Sequence, residues 1–277
     1  MVIQPQQSEM LGEVAKFRSS GAVWLSIAGF ILIGLAGGAI LASTGVIGPF
    51  LVPALLLLGI PSDVTRGTVL LSELLITVVS IVGHKKVGNF DKLVILAFLP
   101  GALTVFLGAN MSVRLPESLM KLTIGLFEMV IGAMLICATL NWASKKHSKT
   151  TVDSVTIMAK LMFVAVLAGF AKGFFGAGWG PLGIGMFILL GIDPRVVVGS
   201  SLVIRLLLDA VGGMTYATMN LLDINAVVIL ALAGCLAVPL GVKLTKIASE
   251  RTFRIVLGAF IILLGALVLV EAIMLGY

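Results

Sequence analysis

From Ser19 to Ser62 the chain carries no charged residue. A soluble domain is about one quarter charged and cannot hide an apolar run of that length from water. The rest of the chain agrees: it is 59% hydrophobic and 12% charged, with a mean hydropathy of +1.17. The apolar stretches are long, continuous and poor in aromatic residues. That selects helices over the short alternating strands of a membrane barrel. The expected fold class is an all-α polytopic membrane protein, multi-pass in the inner or plasma membrane, with the lipid bilayer as its surroundings.

The chain also contains itself twice. Gly48-Pro49 through Leu57-Leu58-Gly59-Ile60 aligns without a gap on Gly180-Pro181 through Leu189-Leu190-Gly191-Ile192. The register continues through Val64/Val196, Gly67/Gly199, Leu70/Leu202, Leu74/Leu206 and Asp91/Asp223. One inserted residue later it resumes with Gly108/Gly241, Glu117/Glu250, Gly125/Gly258 and Gly132/Gly265. Internal duplication in a very apolar chain is a transporter signature, with substrate held where the repeats meet. The expected organisation is a polar N-terminal segment (1–20), a first transmembrane repeat (21–140), a cytoplasmic linker (141–156) and a second transmembrane repeat (157–277).

Each repeat reads as five apolar segments, and the second of each is short. The runs 48–60 and 181–191 rise about 20 Å or less as helix, against a hydrocarbon core of about 30 Å. A glycine-rich break precedes each, and each opens with a proline that suits the first turn of a helix. Both read as half-helices beginning inside the membrane, where irregular backbone must be buried in protein or line a cavity. The alternative is a surface loop followed by a short helix.

Loop charge bears on topology. If each half crosses an odd number of times, the basic stretches 84–92, 145–160 and 243–254, with Arg195, all face one side. The count is then 12 lysines and arginines on that side against five on the other: Lys16, Arg18, Arg66, Arg114 and Lys121. Four crossings per half would make the repeats parallel and the split nearly even. The positive-inside rule therefore favours inverted repeats.

Ionisable residues in the middle of apolar segments are the candidate functional groups, because a charge in the bilayer costs at least a few kcal/mol. They are Glu73, Glu128, Lys172, Arg205 and Asp209. Glu73 and Arg205 hold the same position in the two repeats, so a two-fold arrangement can bring them together. Arg205 and Asp209 are four apart on one helix face. These three form either a structural ion-pair cluster or part of a pathway. Glu128 has no partner on its own helix; it is either a proton-coupling group or a carboxyl bonded to a neighbouring helix. Lys172 sits beside the second break, where the first repeat has Ile40. With the half-helix N-termini at Gly48 and Gly180, their positive dipole ends, and the hydroxyls of Ser43 and Thr44, it describes an anion site; the alternative is a lysine reaching for the interface. Gly176, Gly178 and Gly180 would let the backbone approach a ligand, and Trp179, inside the same break, would line or gate it.

Other functions find little support. The net charge of +6 is mostly loop lysine that sets topology, so nucleic acid is not an expected partner. Cys137 and Cys235 stand alone, and His84 and His147 lack metal-ligand spacing, so no metal is expected. The glycine-rich stretches lack a P-loop ending, and no cofactor is expected. Charge precedes the first apolar run, unlike a signal peptide. Trp24 and Trp142 suit interfacial anchors, and Glu271 lies close enough to the C-terminus to reach the interface. An enzyme would need paired catalytic groups, which only the Glu73–Arg205–Asp209 set offers. A homodimer is compatible with the sequence but not fixed by it.

The stretch Gly169-Phe170-Ala171-Lys172-Gly173-Phe174-Phe175-Gly176-Ala177-Gly178-Trp179-Gly180-Pro181, with its weaker copy from Gly34 to Pro49, resembles the sulfite exporter TauE/SafE family, also called the toluene-sulfonate uptake permeases. The resemblance covers about 25–272. It implies transport of sulfur oxyanions or organosulfonates, without fixing direction, and members are often drawn with about eight helices. Ile40, Leu41 and Ala42 in the first break, and Trp179 in the second, depart from a glycine-richer pattern. The reading that follows is a secondary transporter of a small sulfur-containing anion, with Glu73, Glu128 or Asp209 as the candidates to carry a coupled proton. Its main rival is a passive anion channel with the same site.

Overall fold

A computed structural model describes residues 22–84, 91–142, 155–190, 192, 194–247 and 250–275. These residues form helices joined by short turns, with no strand among them. In chain order the helices are α1 (Ala22–Thr44), α2 (Gly48–Leu57), α3 (Ser62–His84), α4 (Lys92–Phe98), α5 (Pro100–Ser112), α6 (Glu117–Trp142) and α7 (Val155–Phe175). A π-helical segment (Trp179–Gly185) follows, then α8 (Met186–Leu189), α9 (Pro194–Thr218), α10 (Ile224–Ile247) and α11 (Glu250–Leu275). The polar N-terminal segment lies outside the described residues. So does most of the linker, with Lys85, Lys86, Lys145, Lys146, His147 and Lys149.

Among the described residues seven helical stretches are long and apolar enough to cross a membrane. One of them, Lys92–Ser112, joins α4 to α5 across Pro100, whose missing N–H and ring interrupt the helix. α9 is of similar length but less apolar, because it carries Arg195, Arg205 and Asp209. The outer surface is covered with exposed Leu, Val, Phe and Met side chains such as Leu103, Leu232, Leu236 and Met274. An exposed apolar area of that extent requires a non-aqueous surrounding, and the chain is a multi-pass membrane protein.

Close glycine contacts give the helix directions. Gly34 of α1 lies against Leu230 and Ala233 of α10, and Gly38 lies against Gly234, so α1 and α10 run the same way. Gly101 of α5 lies against Ala165 of α7 and Gly108 against Phe170 and Phe174, so this pair is parallel as well. Gly125 of α6 meets Gly265 of α11, while Gly132 meets Gly258, so α6 and α11 run oppositely. Gly67 of α3 faces Tyr216 of α9, and Leu70 faces Gly212, again an antiparallel pair. The short α2 doubles back along α1: Gly29 faces Leu58, and Gly37 faces Leu51 and Ile47.

The chain therefore returns to its starting face after α2, then crosses with α3, α4–α5 and α6. The ends near His84, Trp142, Val155, Pro194 and Ile247 share one face. The turns 58–61, 113–116 and 219–223 share the other. Two capping contacts change places in the same manner. The Asp91 amide donates to Ser200 Oγ at 3.0 Å, and the Asp223 amide to Thr68 Oγ1 at 3.0 Å. In the duplicated register Asp91 matches Asp223 and Thr68 matches Ser200. Each aspartate also caps its own helix, accepting from two backbone amides.

The second short segment departs from the expected form. It is not an α-helix opening at Pro181; it is a π-helical segment from Trp179, followed by one α-helical turn. Gly180 and Gly183 let this segment pack closely, a Cβ on Gly180 meeting Val46 and one on Gly183 meeting the Trp179 ring, whereas a Cβ on Gly185 would meet nothing nearer than 4.0 Å.

Candidate transport site

The site is built where the two breaks meet. In the first, Ser43 Oγ donates to Ala39 O at 2.8 Å and Thr44 Oγ1 to Ile40 O at 2.8 Å, so both hydroxyls are turned onto their own helix. Thr44 Oγ1 also accepts from Val46 N at 3.2 Å, which shapes the break. In the second, Gly176 and Gly178 hold φ of +74° and +104°, backbone that L side chains rarely adopt. They turn the chain sharply from the end of α7 into the π-helical segment. A Cβ on Gly48 would lie 2.9 Å from Gly176 O and 3.0 Å from Ala177 Cα. A Cβ on Gly180 would lie 2.5 Å from Val46 Cγ2. The breaks touch backbone to backbone.

Around this contact stands a buried charge cluster. Lys172, at the end of α7, is 1% exposed. Its Nζ lies 2.6 Å from Glu73 Oε2 on α3 and 2.8 Å from Asp209 Oδ1 on α9. The first contact is a well-formed hydrogen bond; the second is an ion pair whose angles fall outside hydrogen-bond geometry. Glu73 Oε1 has no hydrogen-bond partner and lies 3.0 Å from where a Cβ on Gly48 would be, against the first turn of α2. Glu73 stands eleven residues into α3, or about 16 Å along it, near the middle of a core about 30 Å thick. Arg205 is also buried and lies within electrostatic reach of Asp209; among the described residues it makes no ion pair and its Nη1 has no hydrogen-bond partner.

This arrangement corrects two expectations about pairing. Arg205 reaches neither Glu73 nor Asp209 within ion-pair distance; Lys172 takes both carboxylates. Its long, flexible stem ends in a compact charge that fits between α3 and α9, where a planar guanidinium on α9 itself does not. Lys172 does not extend to the interface. Glu271 pairs with Lys121 at 3.0 Å. Glu128 on α6 is fully buried, and neither carboxylate oxygen has a partner. The Trp179 ring packs at 4.8 Å from Phe98, which stacks at 4.0 Å on Phe187; Trp179 Nε1 has no partner.

Sequence reasoning missed Arg66, reading it as a loop charge. It is fully buried, paired with Asp63, donates to the Phe174 carbonyl at 3.3 Å and covers the Tyr216 ring. Tyr216 OH donates to Gly173 O at 2.9 Å and lies 2.7 Å from Ser112 Oγ. The available signal was the Asp63–Arg66 spacing of three, which places both on one helix face.

Residues 16–268 match the family described as Sulfite exporter TauE/SafE. The chain belongs to that family. A TauE/SafE chain of this kind is a membrane transporter protein by family, not an enzyme. Among curated relatives it is 30% identical over 254 residues to "Probable membrane transporter protein YtnM" of Bacillus subtilis (strain 168), covering 87% of this chain and 82% of the relative. It is 26% identical over 229 residues to "Probable membrane transporter protein YdhB" of the same organism, covering 81% and 92%. No solved structure matches it.

Proposed function

We propose that this TauE/SafE protein is a secondary transporter of small sulfur-containing anions, sulfite or organosulfonates, built as two inverted repeats with the anion held between the breaks. The observation that carries the anion site is Arg205: a buried guanidinium with an unpartnered Nη1 beside a cluster whose other cation is already taken by two carboxylates. A buried donor lacking a partner is costly, and an oxygen of an arriving anion removes that cost. The N-terminus of α2 adds a positive dipole end, while its Phe50 and Leu51 amides already donate to Ile47 O and Pro49 has none to give. Ser43 and Thr44, turned onto their own helix, join only if the break unwinds.

The antiparallel runs of α3 against α9 and of α6 against α11, and the exchanged Asp91–Ser200 and Asp223–Thr68 contacts, support inverted repeats. The face carrying Lys92, Lys160, Lys243 and Arg251 is then cytoplasmic by the positive-inside rule. The family description supports the sulfur anion.

The test is uptake of labelled sulfite and sulfoacetate into proteoliposomes by wild type and Arg205→Ala. Saturable flux that falls at least tenfold in the variant supports the reading. No flux of either anion sinks the substrate class. Unsaturable, voltage-following current replaces the carrier with a channel.

A further inference from the structure

We infer that Glu73 is a built-in competitor of the transported anion, and that a proton displaces it. This rests on the anion-transport reading above and adds the coupling step.

The geometry is that of an anion site with an anion already in it. Glu73 Oε2 receives the Lys172 ammonium at 2.6 Å. Glu73 Oε1 faces the first turn of α2 at Gly48 without a hydrogen-bond partner. A carboxylate on a buried ammonium, beside the positive dipole end of α2, occupies the place a sulfonate or sulfite oxygen would take. Two anions cannot share it, since like charges in contact in a poorly screened interior repel by several kcal/mol. Arg205, buried on α9 four residues before Asp209, holds a second donor, Nη1, without a partner, from which an arriving oxyanion can accept.

The other ionisable groups around Glu73 are few. α9 brings Asp209 and Arg205, α7 brings Lys172, and α6 brings Glu128. α1, α2 and the π-helical segment carry none among their described residues, and the membrane-spanning part of α10 carries Cys235 as its titratable group. Asp209 keeps its contact with Lys172 when Glu73 leaves, so the lysine stays positioned.

The step balances in protons and charge. A proton from water on the loading side binds Glu73 Oε2, and the hydrogen bond from Lys172 Nζ to that oxygen breaks. The neutral carboxyl withdraws and one anion takes its place. On the far side the anion leaves, the proton leaves to water, and the carboxylate closes again on Lys172. One proton moves with one negative charge, so a monoanion is carried without net current.

The test uses proteoliposomes and labelled methanesulfonate, whose charge is fixed across the acid-to-neutral range, with sulfite in parallel. For wild type, accumulation should rise about tenfold per pH unit of inward proton gradient and ignore membrane voltage. In Glu73→Gln the gradient dependence should vanish while anion exchange between the two faces persists. Gradient dependence kept in Glu73→Gln overturns the inference; so does its loss in Glu128→Gln alone. A second readout needs no variant: stabilisation of the purified wild type by methanesulfonate should be stronger at acidic than at neutral pH, and equal stabilisation overturns the inference. If wild type neither binds nor moves either anion, the transport reading itself fails. If it moves them and only the Glu73 results fail, the competitor alone is wrong.

Discussion

The Arg66 guanidinium carbon lies 5.7 Å from the centre of the Tyr216 ring, and both side chains are fully buried. The pair sits beneath the second break: a Cβ on Gly176 would touch Arg66 Cγ at 3.1 Å, while Tyr216 OH holds the Gly173 carbonyl. Arg66→Leu strands Asp63 and frees the Phe174 carbonyl, and should cost about 3 kcal/mol or more. Tyr216→Phe removes one hydroxyl network and should cost about 1–2 kcal/mol. Denaturation midpoints of the purified variants check both. A neutral Arg66→Leu would mean that the pair contributes nothing to holding the break.

Lys172→Ala leaves Glu73 and Asp209 without the ammonium they share. Breaking a buried pair from one side costs about 3–5 kcal/mol, so folded yield should drop sharply. Neutralising all three, as Lys172→Met with Glu73→Gln and Asp209→Asn, should recover most of that stability while leaving no transport. The recovery is a coupling measurement. A triple variant as unstable as Lys172→Ala would show that the charges are not the reason.

Gly38 and Gly185 predict opposite outcomes for one added methyl group. A Cβ on Gly38 would collide with the Gly234 backbone, whereas one on Gly185 meets nothing nearer than 4.0 Å. Gly38→Ala should destabilise by about 1–3 kcal/mol or more as α1 is pushed off α10. Gly185→Ala should leave the melting temperature of the purified protein within a degree or two. Equal effects would sink the close-packed α1–α10 contact.

Helix direction is open to chemical test. In a background with Cys137 and Cys235 replaced by Ser, single cysteines at Arg114 and Asn220 should label with an impermeant thiol reagent from one side. A cysteine at Lys92 should label from the other. Parallel repeats would instead group Asn220 with Lys92, so a single pattern decides between them.

Much of this was legible in the residues, for identifiable reasons. Helix positions follow from uninterrupted apolar runs, which leave a bilayer segment little alternative. The break at 173–180 was visible because glycine has few other uses in such density. Pairing was not legible. Whether Arg205 or Lys172 would reach Glu73 depends on how three helices from distant parts of the chain are rotated about their axes, and no local pattern encodes that. The π-helical segment escaped for the same reason: its width is set by what packs beside it. Arg66 was misread because a charge four residues into a helix looks alike whether it meets water or a half-buried aspartate and an aromatic ring.

Lys172 stands where the first repeat has Ile40, and a π-helical coil stands where the first repeat has an α-helix. The inverted-repeat carrier proposed above is then lopsided. Opening toward the tip of the second repeat would hydrate an ammonium; opening toward the first would wet an aliphatic side chain. The two openings would differ in solvation energy, and the empty protein would rest facing one way. Initial rates measured in opposite directions should be unequal, although the final distribution of the anion, fixed by the gradients alone, is the same whichever way the protein is inserted.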